Sequence, residues 1–518
     1  MSAAPLSDKQ ITRGFRLPAR LRHESNSSPQ FLKPAVFFCS AAVMGVILFS
    51  LGSARQTSEN RLYLVPWAIA VGIVTLAPAI YFFLRGKFDL FHPLVFPMWT
   101  YFFPGFAVGG LILAAGMSDA HYLPYVQDET YNFPLTFFYL IVGFLGIVAG
   151  FAIPIGKKIG DVIARILPKW ELSDSKARNG GVILLTLGLI NIGIAFLFGA
   201  LGFQTPEEGS NLAGLILMST LFWYQASFLL GLYIFRSERI GSIALVILGV
   251  LVLTAVTNAL LVGSRGGLFH FILPLVFAYF YSGRRMGFKQ YASIGAIMVL
   301  VLGAGIIYGT TFRSIREGQQ SVSLDRYVAV VPTTFSKILE QDPIEILSEG
   351  VSTLATRIEL VSAVAVVVSN YEALAPYEEE LGISDNIIVE TSTFFIPRVL
   401  WNDKPVSVEP AKYADLYFNY SENSFSMTPV GDLIRNFGPW GIPLGMLILG
   451  ILLRIVYTAL VDGQGFSYWK LTLYYLLLTS ISYDGTYGGI VPNMFKTAFV
   501  AVVGFVIVWL ITVRLNPR

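Results

Sequence analysis

The residues in this chain with chemistry to offer are cations set in short, rigid, polar stretches between apolar runs. FFIPRVLWNDKP (394–405) holds Arg398, Asp403 and Lys404 between Pro397 and Pro405, beside Phe394, Phe395 and Trp401. Prolines fix the backbone and aromatic rings favour the headgroup level of a bilayer. Arg398 and Lys404 are therefore held where an anionic headgroup would lie. GSRGG (263–267) puts Arg265 in a gap between two apolar runs, with glycines that permit a tight turn and close approach of a ligand. Arg265 either meets a ligand there or caps a short hairpin and snorkels to headgroups. GTTFRSIREGQQ (309–320) spaces Arg313 and Arg316 so that a continuing helix would show both guanidinium groups on one face. That face suits bidentate hydrogen bonding to a phosphate or pyrophosphate, or interfacial anchoring. In TRIEL (356–360), Arg357 and Glu359 point to different sides of a helix, so no mutual ion pair is expected. SENSFSMTPVGDLIRNFGPWGIPLG (421–445) brings Asp432 and Arg435 to i,i+3 spacing, either as site residues or as an intrahelical pair before a Gly/Pro break. SYDGTYGGIVP (482–492) places Asp484 among glycines as a polar cap.

These stretches hang on an apolar scaffold. The chain of 518 residues is 54% hydrophobic and 13% charged, with mean hydropathy +0.64, which makes it an all-α polytopic membrane protein. Apolar windows of spanning length fall near 31–52, 62–84, 91–116, 133–155, 181–203, 212–235, 241–262, 268–282, 290–309, 437–459, 467–483 and 491–513, about twelve transmembrane helices. Residues 1–30 form a basic tail carrying Lys9, Arg13, Arg16, Arg20 and Arg22, with no signal-peptide pattern, expected in the cytoplasm. Basic connections at 85–87, 157–170, 236–239 and 284–289 alternate with acidic or neutral ones at 118–130 and 205–211. The positive-inside rule thus predicts both termini cytoplasmic and an even number of spans. Cys39 is the single cysteine, and His23, His92, His121 and His270 are scattered, so neither a disulfide framework nor a zinc-enzyme motif is present. No metal site and no cofactor are expected.

Transmembrane helices 1–9 occupy 31–309 and helices 10–12 occupy 437–518, separated by one large, partly helical outer loop at 310–436. Residues 310–426 carry 17 Asp/Glu against 8 Lys/Arg, a net of −9. Within the loop, 350–370 reads as an apolar helix lying in the interface or dipping back, since a full crossing would invert the downstream topology. By this topology Arg265, Arg313, Arg316, Arg357, Arg398, Lys404 and Arg435 all fall on the outer side.

FFIPRVLWNDKP followed by SMTPVGDLIRNFGPWG resembles the C-terminal half of Wzy-type O-antigen and exopolysaccharide repeat-unit polymerases, in which an "IPR…KP" loop precedes a "T…G…NFG..G" start of a late span. The detailed likeness covers roughly 310–450. It implies a GT-C-like glycosyltransferase of the bacterial inner membrane. Such an enzyme transfers a growing glycan from one polyprenyl pyrophosphate to the sugar end of another lipid-linked oligosaccharide, facing the periplasm, with a chain-length regulator as partner and no nucleic acid. On that reading Arg265, Arg313, Arg316, Arg357, Lys404 and Arg435 bind the lipid pyrophosphate without a metal. Arg398 acts at the reacting centre, and Glu359, Asp432 and Asp484 are the candidates for general base. The related O-antigen ligases are expected to use a histidine in their large outer loop, and 310–426 contains none. A twelve-span transporter or flippase of lipid-linked glycans is the alternative, but no repeat symmetry between halves is visible. A non-catalytic subunit of an export assembly is a third.

Overall fold

Apolar runs in this chain have no water to satisfy their peptide groups within a bilayer, so they satisfy them internally as helices. The computed structural model describes residues 61–117, 121–198, 218–237, 240–263, 267–283, 288–316, 324–340, 342, 357–396, 401, 410–419 and 427–514. Among these it is 80% helix, without strands. The basic tail, the first apolar window, Arg265, Arg398 and Lys404 lie outside the described residues. Among the described residues six helices are long and apolar enough to cross a membrane: Leu62–Leu84, Glu129–Ala152, Asp174–Leu197, Ser242–Leu261, Gly441–Leu460 and Ile490–Ile511.

In chain order the helices begin with α1 (Val65–Leu84), followed by a π-helical segment, Met98–Val108, that continues as α2 (Gly109–Ala114). Next come α3 (Glu129–Ala152), α4 (Pro154–Ile166), α5 (Asp174–Leu197), α6 (Leu221–Arg236), α7 (Ser242–Val262), α8 (Gly267–Tyr281) and α9 (Phe288–Arg316). The loop region holds α10 (Leu324–Glu340), α11 (Val361–Glu380), α12 (Asn386–Thr393) and α13 (Pro410–Phe418). The short α14 (Thr428–Phe437) leads into α15 (Gly441–Leu460), then α16 (Tyr468–Thr479) and α17 (Ile490–Arg514).

Two apolar windows are built differently from a plain crossing. The stretch at 91–116 starts as turns and then winds as a π-helix around Pro104, which has no N–H to give an ordinary helical bond. The helix at 467–483 is only 12 residues, about 18 Å, too short for a hydrocarbon core of about 30 Å. It is buried against α6, α15 and α17, and the turns after Thr479 carry the chain on to Gly488, at the opposite end of the bundle from Tyr468.

Hydrogen bonds join connections expected on the same side. Tyr281 donates to Asp89 at 2.9 Å and Tyr468 to Asp174 at 2.8 Å, while Arg236 stacks on Phe466 at 3.8 Å. At the opposite end Gln127 donates to Asn370 at 2.8 Å and the Gly488 N–H to Asp432 at 3.1 Å. Among the described residues, these contacts pair segments that charge alternation assigns to one side.

The frame for the late helices is the parallel pair α3 and α15, whose contacts climb together from Gly143 against Ile442 to Gly150 against Leu447. A Cβ on Gly150 would lie 2.0 Å from the Leu447 carbonyl oxygen, and one on Gly450 would lie 2.2 Å from that of Ile147. Backbones this close are the small-residue packing of membrane helices. Against α3, α14 and α2 lies α11, whose first eight residues, Val361 to Val368, are all buried. Leu360 N–H donates to the Gly105 carbonyl at 3.2 Å, so this helix dips into the bundle instead of lying on it.

Candidate functional site

The site grows out of the turn between α14 and α15. Gly438 takes φ +66° and ψ −167°, a conformation that essentially only glycine adopts. It ends α14 after 10 residues and sends the chain into α15. Thr428, at the other end of α14, sits at φ +60°, rare for a β-branched residue and worth about 1–3 kcal/mol of strain. Its hydroxyl accepts the Gly431 N–H at 3.3 Å. The result is a half-helix buried from Thr428 to Arg435. Val430, Leu433 and Ile434 pack into the apolar core, while Asp432 and Arg435 occupy a polar face.

That face is an ionic cluster. Arg435, with a side chain only 1% exposed, donates to Glu378 at 2.7 Å, to Asp432 at 2.9 Å, to the Ile383 carbonyl at 2.8 Å and to Asn386. Its guanidinium lies 4.5 Å from the centre of the Tyr413 ring. Only its Nε is buried without a partner. Burial lowers the guanidinium's affinity for its proton, but Asp432, Tyr413 and Glu378 outweigh it and raise the pKa, so the charge is fixed. Tyr417 donates to Glu378 at 2.7 Å, and Tyr413 to the Ile383 carbonyl at 2.9 Å. Asn436 donates to Asn386 at 2.8 Å and to Asp432 at 3.2 Å. Burial raises the Glu378 carboxyl, opposed by Arg435 and Tyr417. Four segments from 378 to 436 are thereby bolted together, and Gly488 adds the loop before α17.

Beside this cluster lies a cavity of about 250 Å³, lined by Glu390, Ser482, Gly485, Thr486, Gly489, Pro492, Asn493 and Lys496. Glu390 is 4% exposed, and its Oε1 is buried with no hydrogen-bond partner. Burial, then the Asp432 carboxylate, push its pKa up to about 7, against Asn386, Lys496 and Arg435. Gly488 makes room for it: a Cβ there would sit 2.8 Å from Glu390 Oε2. One turn on, Phe394 packs edge-on against Phe495 with ring centres 4.9 Å apart, and Phe395 and Phe495 are exposed. The first residues of FFIPRVLWNDKP, Phe394 to Ile396, thus lie in the turn that follows α12, next to the cavity.

The other sequence candidates are spread more widely. Asp432 and Arg435 form the expected i,i+3 pair, but Arg435 is spent on internal partners and presents no open face to a lipid pyrophosphate. Asp484 is exposed, accepts from Ser482, and belongs to the loop that walls the cavity. Arg357 is exposed and Glu359 is buried, on different sides as their spacing predicts. Glu359 accepts the Ser362 N–H at 2.8 Å and the Ser362 hydroxyl, capping α11. It stands at the opposite end of α11 from Glu378, roughly 28 Å away along the helix axis. α9 does continue through Arg313 to Arg316. Arg313 is half-buried there, beside a small cluster of Tyr308, Phe312 and Val330 separate from the main core.

Glu378, Asn386, Glu390, Asn436 and Lys496 escape the sequence reading. Glu378 opens an acidic run, EEE at 378–380, that looks like a solvated surface. Lys496 had a usable signal, a cation inside the last apolar window, which is a functional flag at membrane depth. Comparison of the chain with protein-family models, with curated proteins and with solved structures finds no match.

Proposed function

We propose that this chain polymerises polyprenyl-pyrophosphate-linked oligosaccharide repeat units at the periplasmic face of the bacterial inner membrane. It does so as a twelve-span glycosyltransferase of GT-C-like architecture with both termini in the cytoplasm. The observation that carries this reading is the placement of the cavity. It lies at the end of the bundle expected to face outward, where α12 of the large loop meets the start of the last span. A carboxyl and an ammonium share its wall. Transfer of a sugar onto a hydroxyl with loss of a pyrophosphate asks for a proton acceptor and for positive charge near the leaving group. The ionic cluster holds the loop helices rigid around that cavity, as a preorganised site requires. The resemblance of 394–405 and 426–441 to repeat-unit polymerases points the same way, and Arg398 and Lys404 belong to the first of these stretches.

The test is polymer length on a gel from cells lacking the native protein, complemented with wild type, Arg398→Ala, Arg265→Ala or Arg313→Ala, with membrane insertion checked in parallel. Loss of long chains, with single lipid-linked units accumulating in the periplasm, is the expected result. Accumulation in the cytoplasm instead would favour a flippase. Normal polymer from all three variants would make those arginines anchors.

A further inference from the structure

Of the candidate carboxylates in the outer segments, most are already engaged. Glu378 holds Arg435 and Tyr417; Asp432 holds Arg435, Asn436 and the Gly488 N–H. Glu359 caps α11, and Asp484 is exposed and receives the Ser482 hydroxyl. Glu390 differs from all of them. It is buried in the cavity wall with one carboxyl oxygen unmatched, a costly arrangement unless a ligand completes it. The rest of the wall is the chemistry of sugar recognition: hydroxyls from Ser482 and Thr486, an amide from Asn493, an ammonium from Lys496 and backbone bared by Gly485 and Gly489. At about 250 Å³ the space is near the small end of ligand pockets, ~300 Å³, room for one sugar ring and not for a repeat unit.

We propose that this cavity holds the terminal sugar of the acceptor and that Glu390 takes the proton from its attacking hydroxyl. The inference rests on the polymerase reading and assigns a catalytic residue within it. In the step, the acceptor oxygen forms a bond to the donor's anomeric carbon while the bond from that carbon to the pyrophosphate oxygen breaks. The electron pair leaves with the lipid pyrophosphate, and the hydroxyl proton passes to the Glu390 carboxylate. The proton then returns to solvent or to the departed pyrophosphate, so the enzyme is restored. Lys496, in the same wall, supplies positive charge to the sugar or the leaving group. The charged and titratable groups around Glu390 are Asp432 and Arg435 from α14, Tyr413 from α13 and Lys496 from α17. Their balance leaves its carboxyl titrating at about 7, near the optimum for a general base at neutral pH.

The experiment uses the full-length protein in lipid nanodiscs, with lipid-linked repeat units extracted from cells lacking this protein as the substrate. Rates of chain lengthening are measured for wild type, Glu390→Gln and Glu390→Asp from about pH 5.5 to 8.5. Glu390→Gln keeps the shape and the hydrogen-bonding capacity but cannot accept the proton. Its kcat is expected to fall by roughly 10²–10⁴-fold with KM nearly unchanged, and the acidic limb of the wild-type kcat profile is expected to vanish. Glu390→Asp is expected to retain part of the rate and to keep a limb, shifted in pH. It decides the matter if the glutamine variant fails to fold. Full activity in Glu390→Gln, or an unchanged acidic limb, overturns the assignment while leaving polymerisation intact. A wild-type protein that does not lengthen the glycan overturns the polymerase reading and this inference with it.

Discussion

Removing Arg435 should cost more stability than removing any other single charge in the described residues. The guanidinium is 1% exposed and its two carboxylate partners, Glu378 and Asp432, are 3% and 0% exposed. Burial of all three groups keeps bulk solvent from taking its place. Arg435→Ala strands two buried carboxylates and opens a void beside Tyr413. Breaking a buried pair by deleting one partner costs about 3–5 kcal/mol, and here two partners are stranded. That corresponds to roughly 10²- to 10⁴-fold in the unfolding equilibrium at about 1.4 kcal/mol per decade. Arg435→Lys recovers little, because an ammonium cannot reproduce the fork that reaches Glu378, Asp432, Asn386 and the Ile383 carbonyl at once. The assay is unfolding of the purified protein by a denaturing detergent, with a double-mutant cycle on Glu378→Gln and Arg435→Gln. The cycle is expected to give a coupling of about 1–3 kcal/mol. A loss under about 1 kcal/mol for Arg435→Ala, with no coupling, would mean that Arg435 behaves as a solvated surface cation, and the description of the cluster as the bolt of the outer loop would be refuted.

Stability should also fall as pH rises through the Glu390 titration. Its carboxyl is raised from 4.5 to about 7 in the fold, so the neutral form is favoured there. The stabilisation is complete below about pH 4.5 and lost by about pH 7, a total of roughly 2–4 kcal/mol. Glu390→Gln should remove this slope and unfold later than wild type above neutral pH; a parallel pH profile in the two proteins would contradict the buried, unpaired carboxyl. Gly150→Ala places a methyl 2.0 Å from the Leu447 carbonyl oxygen and must push α3 from α15. A loss of about 1–3 kcal/mol is expected in the same detergent titration, whereas Gly249→Ala on α7, where a Cβ meets nothing within 4 Å, should be neutral or slightly stabilising.

Much of the frame was legible in the order of residues alone. Helix formation by apolar runs is a local matter of satisfying the backbone without water, so windows such as 133–155 and 437–459 correspond to α3 and α15 within a few residues. Charge alternation in the loops is likewise local, and among the described residues Asp89 meets Tyr281 and Asp174 meets Tyr468, segments that it assigns to one side. The i,i+3 spacing of Asp432 and Arg435 could only be a pair on one face once the stretch was helical. What stayed hidden depends on approach between distant segments. Glu378 reads as part of a solvated acidic run until α11 dips between α3 and α14 and carries it to Arg435, 57 residues away. Glu390 reads as one more loop acid until Gly488 lets the last loop close over it. Burial, and therefore the charge state of a carboxyl and the commitment of an arginine, is decided by which backbones come close. That decision belongs to the tertiary structure.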